Sequence, residues 1–405
     1  MHGALCAAGG VRYGAAMRWV LGLLLAFGGV SSAVVGCSDG DETPPAENAG
    51  PKDDGKEDQV YPEAVGPALA ELKPGWNTVE PGGATTCSKG DPFKFFVRPG
   101  ATDKVVIEFS GGGACWSDAT CPLADTAAIF TSTVDTPIYV TDESKAPGMS
   151  NHARDDNPVK DWTHIFIGYC TGDVHAGDNV KTYINADEKD PAKKELVINH
   201  KGAANTRAVL SWVFKNFSAP QQLLVTGCSA GGYGATFWSP HVKRHYKQTK
   251  IYHFSDSAAG VVSPSFFSEI NDSWKPQGVY PTYIPGSDPS IKANLSSFYN
   301  AVGSFFPDMP MTQFNTRLDA TQALYFNFVT GEKKEAWSRL MLDEMAAIRT
   351  GSPGYRAYLA DGDKHCVIDK DDFYTTQLEG KTVASWLGDL VADQKPADLS
   401  CPDCK

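Results

Sequence analysis

The sequence predicts an α/β fold: a mainly parallel sheet with helices on both faces and a cap-like insertion. Three observations predict it. Short apolar, β-branched runs recur between residues 92 and 361. Segments with apolar residues at helical spacing lie between them. The rhythm breaks once, over 262–310, where Ser, Pro, Phe and Tyr crowd the chain. Strands alternating with helices favour parallel pairing with both sheet faces covered, so such strands read as continuous apolar runs.

The elements follow in order. PFKFFVRPG (92–100) reads as a strand ending in a turn, and KVVIEFS (104–110) as a buried strand running into Gly111-Gly112-Gly113. WTHIFIGYC (162–170) is another buried strand, followed by the loop TGDVHAGD. NTRAVLSWVFKNF (205–217) has helical spacing. QQLLVTG (221–227) is a strand, and GGYGATFWSPHVKRHY after it a helix. IYHFSDS (251–257), MTQFNT (311–316) and YRAYLAD (355–361) are further strands, with EAWSRLMLDEMAAIRT a helix between the last two. No repeat at a fixed period is visible.

The N-terminus carries targeting information. From Met17 the chain reads MRWVLGLLLAFGGVSSAVVGC, an arginine before an apolar run that ends in small residues. This is the pattern of an export signal over 1–36, with Met17 an alternative start. Val34-Val35-Gly36-Cys37 resembles a bacterial lipobox, in which Cys37 would be lipidated; simple cleavage and secretion is the rival. Residues 37–62 are acidic and Pro/Gly-rich, with almost nothing to bury, and read as a disordered tether before a domain over 63–405.

Composition narrows the partners. Lys and Arg number 36 against 48 Asp and Glu, a formal net charge of −12. The basic residues are scattered, so no stripe exists to follow a nucleic-acid backbone. The membrane is expected to be met only through a lipid at Cys37. Beyond Cys6 and Cys37 remain Cys87, Cys115, Cys121, Cys170, Cys228, Cys366, Cys401 and Cys404. An even number in an exported chain favours disulfides over a zinc site. Cys115 with Cys121 could close a small loop, and Cys401 with Cys404 could pair; the rest cannot be assigned from sequence.

The chemistry centres on VTGCSAGGYGA. A Gly-x-Ser-x-Gly between a strand and a helix puts Ser229 on a tight turn, its hydroxyl above the sheet and the helix N–H groups beside it. A serine nucleophile needs oxyanion donors. Ala230 should give one, and the glycine run at 111–113 the other. The base should follow the last strand, where His365 lies in LADGDKHCV. Two aspartates at strand ends compete to orient it: Asp256 in HFSDSA and Asp319 in FNTRLDATQ. In folds of this kind the acid most often follows the penultimate strand, which favours Asp319 and leaves Asp256 to bond turn N–H groups. His175, in the loop after a strand, is a candidate substrate contact.

FSGGGACW, YCTGDVHAGD, GCSAGGYGA, FNTRLDATQ and DKHC, in this order and at these distances, resemble the pectin acetylesterase and Notum family from about Cys87 to Cys404. The resemblance implies an α/β-hydrolase fold and a serine carboxylesterase with no metal or cofactor. It implies Ser229 as nucleophile, Asp319 as acid, His365 as base, and Gly112, Gly113 and Ala230 as oxyanion donors. Gly113 stands where Notum has a tryptophan, which keeps the N–H but changes the pocket wall. Trp116 and the 262–310 region are expected to line the acyl pocket. The substrate class implied is a short acyl (acetyl) ester on a polysaccharide such as pectin. The alternatives are a lipid or long-acyl esterase of the Notum type, a peptidase, and a non-catalytic glycan-binding surface lipoprotein.

Overall fold

The computed structural model describes residues 58–401 except 125–128, 187 and 293. The expected export signal, Met17, Cys37 and most of the tether lie outside the described residues.

The core is one nine-stranded sheet. Its spatial order is Asn77–Val79, Phe95–Arg98, Trp162–Ile167, Ala101–Phe109, Gln222–Cys228, Lys250–Asp256, Thr312–Thr316, Arg356–Ala360 and Leu399–Ser400. From Trp162–Ile167 onward every pairing is parallel; the first two strands join the edge antiparallel. The long expected strands are all present, and the mainly parallel sheet with helices is the predicted α/β-hydrolase-type architecture.

Both faces are buried, which explains the continuous apolar runs. Val105, Ile107, Phe109, Leu223 and Val225 point to one core. The helices Gly202–Asn216, Ala230–His245, Ser296–Phe305 and Lys334–Gly351 cover it. Val106, Leu224, Phe254, Phe314 and Tyr358 point to the other core, closed by Val383–Val391. The alternation of Val105, Val106 and Ile107 between two apolar cores is the period-two geometry of a strand.

The irregular 262–310 stretch does contain helices, Pro264–Ser273, Pro289–Lys292 and Ser296–Phe305. They are short, and the segment between the first two carries prolines, so periodicity did not show them. Trp274 pins this insertion, its indole N–H donating to the Cys115 carbonyl at 2.7 Å. A hairpin of Asn179–Ile184 with Glu195–His200 was also absent from the sequence reading. Its intervening charged tract, ADEKDPAKK, hides the two strands.

The tether boundary needs correction. Asp58–Pro62 are docked on the domain and not part of a disordered segment. The Gln59 amide donates to Gly278 O at 2.8 Å and accepts from Arg207 Nε at 2.9 Å. Asp58 pairs with His241 at 3.3 Å, and the Pro62 carbonyl accepts from Ser211. The polar groups that made this stretch look solvated are the ones that fasten it.

Three disulfides join Cys87 to Cys170, Cys115 to Cys121, and Cys228 to Cys366. Cys401 is also disulfide-bonded, while Cys404 lies outside the described residues. Such bonds persist in oxidising compartments, which places the domain outside the cytosol. Among the described residues no helix is long and apolar enough to cross a membrane.

Candidate active site

The strand order creates the site. After Ala101–Phe109 the chain adds Trp162–Ile167 on one side, then Gln222–Cys228 on the other. Connections leave these neighbouring strands in opposite directions, which opens a crevice at their C-terminal ends. Phe109 and Gly227 are register partners, so the glycine loop and the Ser229 turn emerge side by side.

Ser229 sits between strand Gln222–Cys228 and helix Ala230–His245 with φ 57 and ψ −122. A non-glycine residue rarely adopts this conformation, and it persists only where its surroundings enforce it. The flanking glycines are demanded by space. A Cβ on Gly227 would meet the Gly231 carbonyl, and one on Gly231 the Phe109 carbonyl. The turn motif is therefore a packing requirement of helix against strand.

The opposing loop is shaped as tightly. Gly112 and Gly113 both have positive φ, and a Cβ on Gly113 would collide with the Ile129 carbonyl and the Tyr325 hydroxyl. Those two groups occupy the space where a side chain at 113 would start. The Gly113 carbonyl accepts from the Tyr169 hydroxyl at 2.9 Å and the Gly112 carbonyl from Thr131 N–H at 2.8 Å. Both carbonyls are thereby tied to the scaffold. Ala230 opens its helix, so its N–H belongs to the unsatisfied first turn.

His365 lies in the loop after strand Arg356–Ala360. Its Nδ1 contacts both oxygens of Asp319, at 2.9 and 2.8 Å. His365 is 17% exposed and Asp319 fully buried. Asp319 caps helix Ala320–Thr330, accepting from the N–H groups of Thr321 and Gln322 and from the Gln322 amide. A carboxylate held by these donors accepts an N–H from Nδ1 and leaves Nε2 with its lone pair. Asp256 does not reach His365; its carboxylate binds the backbone of the following residues.

Ser229 and His365 line one cavity together with Gly113, Ala230 and Trp116. It holds about 1040 Å³, counting the part open to solvent. Phe266, Phe267, Ile270, Trp274 and Tyr280 of the 262–310 region form much of its wall, as expected. Trp116 packs edge-on to Phe266, with ring centroids 5.0 Å apart. Sequence reasoning missed Phe237, Tyr325 and Phe326, which line the cavity from helices without any motif.

His175 requires correction. It is buried and does not face the cavity; its Nε2 bonds the Ser110 carbonyl at 2.9 Å and its ring packs on Phe109. It supports the root of the glycine loop and is not a substrate contact. Burial holds it neutral, its pKa lowered to about 4.

Among the described residues two side-chain groupings have the proximity of metal ligands, Cys115, Cys121 and His200, and Cys228, His365 and Cys366. In each, both sulfurs are joined in a disulfide, so neither offers the thiolates that a Cys-rich zinc site uses.

The model of the family described as Pectinacetylesterase matches residues 77–328. The match takes in the glycine loop, Ser229 and Asp319, and ends before His365. No curated protein matches the chain.

Proposed function

The chain belongs to the pectinacetylesterase family, and from that premise we propose that it hydrolyses carboxylic esters with Ser229 as nucleophile, His365 as base and Asp319 as the orienting carboxylate. The observation that carries this reading is the Asp319–His365 pair opening into the cavity that Ser229 also lines.

Asp319 fixes the imidazole so that Nε2 faces the cavity as a proton acceptor. Nε2 takes the Ser229 proton as Oγ attacks the ester carbonyl carbon. N–H groups of Gly112, Gly113 and Ala230 bind the resulting oxyanion. His365 returns the proton to the departing alcohol, and a water deprotonated by the same nitrogen then releases the acid.

The acyl group best suited to this cavity is apolar and longer than acetyl. The cavity's wall is built from aromatic and aliphatic side chains, Phe237, Phe266, Phe267, Ile270 and Trp274 among them, and such a lining favours an apolar group. The second reading, an acetyl ester on a polysaccharide, is favoured by the family itself. It keeps the same chemistry and assigns the cavity to another part of the substrate.

The test is labelling by a fluorophosphonate together with hydrolysis of p-nitrophenyl butyrate. Ser229→Ala should lose the label and about 10⁴-fold or more in kcat. Persistence of either in the folded variant would overturn the reading.

A further inference from the structure

Asp256, the rival for the acid, is tied to both halves of the site. It ends strand Lys250–Asp256 and is fully buried. Its main-chain carbonyl accepts the Ser229 N–H at 2.8 Å. Its Oδ2 accepts the N–H groups of Val367 at 2.7 Å and Ile368 at 2.9 Å. Its Oδ1 accepts from the Ser257 hydroxyl at 2.8 Å, and the Ser257 oxygen in turn accepts the Cys366 N–H at 3.0 Å. Three consecutive N–H groups immediately after His365 therefore converge on one carboxylate, directly or through one hydroxyl.

The junction is also where the backbone is strained. Ser229, Ser257 and Cys366 have φ of 57°, 54° and 62°. Each such conformation is disfavoured for a residue with a side chain and survives only where other contacts outweigh it. The Cys228–Cys366 disulfide joins the residue before Ser229 to the residue after His365. It fixes their separation but leaves the loop free to pivot about the bond. Hydrogen bonds to three successive N–H groups remove that freedom.

We propose that Asp256 is a positioning residue: it holds the His365 loop in register with the Ser229 turn. This rests on the reading of Ser229 and His365 given above. Asp256 is not among the cavity-lining residues, whereas Ser257 is, so it acts through the backbone of its neighbours. Misplacing the base by about 1 Å is enough to cost ~100-fold in rate.

The experiment compares Asp256→Ala, Asp256→Asn, Ser257→Ala, Asp319→Asn and Ser229→Ala. The substrate is p-nitrophenyl butyrate, with kcat expressed per folded molecule from the calorimetric unfolding enthalpy. Asp256→Ala should lower kcat ~100-fold with KM within about threefold. Asp256→Asn keeps an oxygen for the Val367 and Ile368 N–H groups and should recover to within about tenfold of the parent. A residue that only stabilises the fold would lower the folded fraction and leave kcat per folded molecule unchanged, which overturns the proposal. So does an Asp256→Asn loss as deep as that of Asp319→Asn, since charge and not loop geometry would then be what Asp256 supplies. If Asp256→Ala does not fold, Ser257→Ala decides: it removes the hydroxyl that links Asp256 Oδ1 to the Cys366 N–H, and an unchanged kcat overturns the proposal. Activity retained by Ser229→Ala would instead defeat the reading of the site, an outcome distinct from all of these.

Discussion

On the proposed reading, in which the apolar cavity beside Ser229 takes the acyl chain, the cavity makes a quantitative demand on the rate of ester hydrolysis. Phe266, Phe267, Ile270 and Trp274 face it from the insertion and Phe237 from the helix behind Ser229. A methylene moved from water into such surroundings gains about 0.8 kcal/mol. At 1.36 kcal/mol per decade this is about fourfold per methylene in kcat/KM. Acetate to hexanoate adds four methylenes, so the series should rise by ~200-fold before the chain reaches the cavity's end. The assay is kcat/KM for p-nitrophenyl esters from acetate to octanoate, each below its aggregation limit. Ile270→Trp places an indole in the cavity. It should cut hexanoate hydrolysis by ~10-fold or more while acetate, with four fewer methylenes to place, changes less. A steady fall from acetate onward, in the parent and the variant alike, would refute the argument and leave the acetyl reading standing.

Three further expectations follow from the site and its buried charges. Asp319→Asn should lower kcat by ~10⁴ with little change in KM, because an amide can present its NH₂ to Nδ1 and stabilise the wrong tautomer; steady-state kinetics checks this. Gly113→Ala pushes a methyl into the Ile129 carbonyl, so the loop must shift, and kcat should fall by ~10²–10³ as one oxyanion donor is misplaced. Thermal unfolding across pH should show a maximum near ~6.5. Burial keeps His175 and His200 neutral, with pKa values lowered to about 4, and His152, His164 and His253 likewise, lowered to about 3. The unfolded chain therefore takes up protons that the native state refuses, and stability is lost as pH falls below ~6.5. Burial also raises Asp256 to about 6, Asp173 to about 7 and Glu108 to about 8. These groups stabilise the fold while protonated, and that contribution is lost as pH rises through those values. The five histidines outweigh the carboxyls below the maximum, and only carboxyls remain above it. A midpoint that climbs steadily to pH 9 would contradict this balance.

The sheet was legible because each long strand is buried on both sides. Val105, Val106 and Ile107 meet two different cores, so all must be apolar, and nothing in a loop imitates that run. The hairpin Asn179–Ile184 with Glu195–His200 follows the opposite rule. Val180, Ile184 and Val197 are about half exposed while Tyr183 and Ile198 are buried, so apolar residues fall on both faces and the alternation that marks a half-buried strand is spoiled. The docked Asp58–Pro62 segment was illegible for a third reason. It is fastened by Gly278, Arg207, Ser211 and His241, none near it in sequence. Polar residues that find such partners look the same in a sequence as polar residues left to solvent.

The same distinction divides the site. The Ser229 turn and the Gly112–Gly113 loop leave a trace in the sequence because backbone crowding admits only glycine at fixed offsets. Aspartates leave no such trace. Asp256 and Asp319 each follow a strand, and those strands are neighbours in the sheet, so spacing places both within one loop of His365. What separates them is the partner each carboxylate finds. Asp319 begins a helix, where two backbone N–H groups and a glutamine amide steady it and leave it open to Nδ1. Asp256 remains in register with the sheet, where the nearest donors are the N–H groups of the loop that carries the base. In the proposed mechanism a base borne on a loop needs both kinds of support, because orienting the ring about its own bonds does not fix where the loop puts it. The sequence order favoured Asp319, the aspartate whose carboxylate meets His365 Nδ1. It left Asp256 to bond turn N–H groups, and the turn proves to be the one after His365, held through Val367 and Ile368 directly and through Ser257 at Cys366.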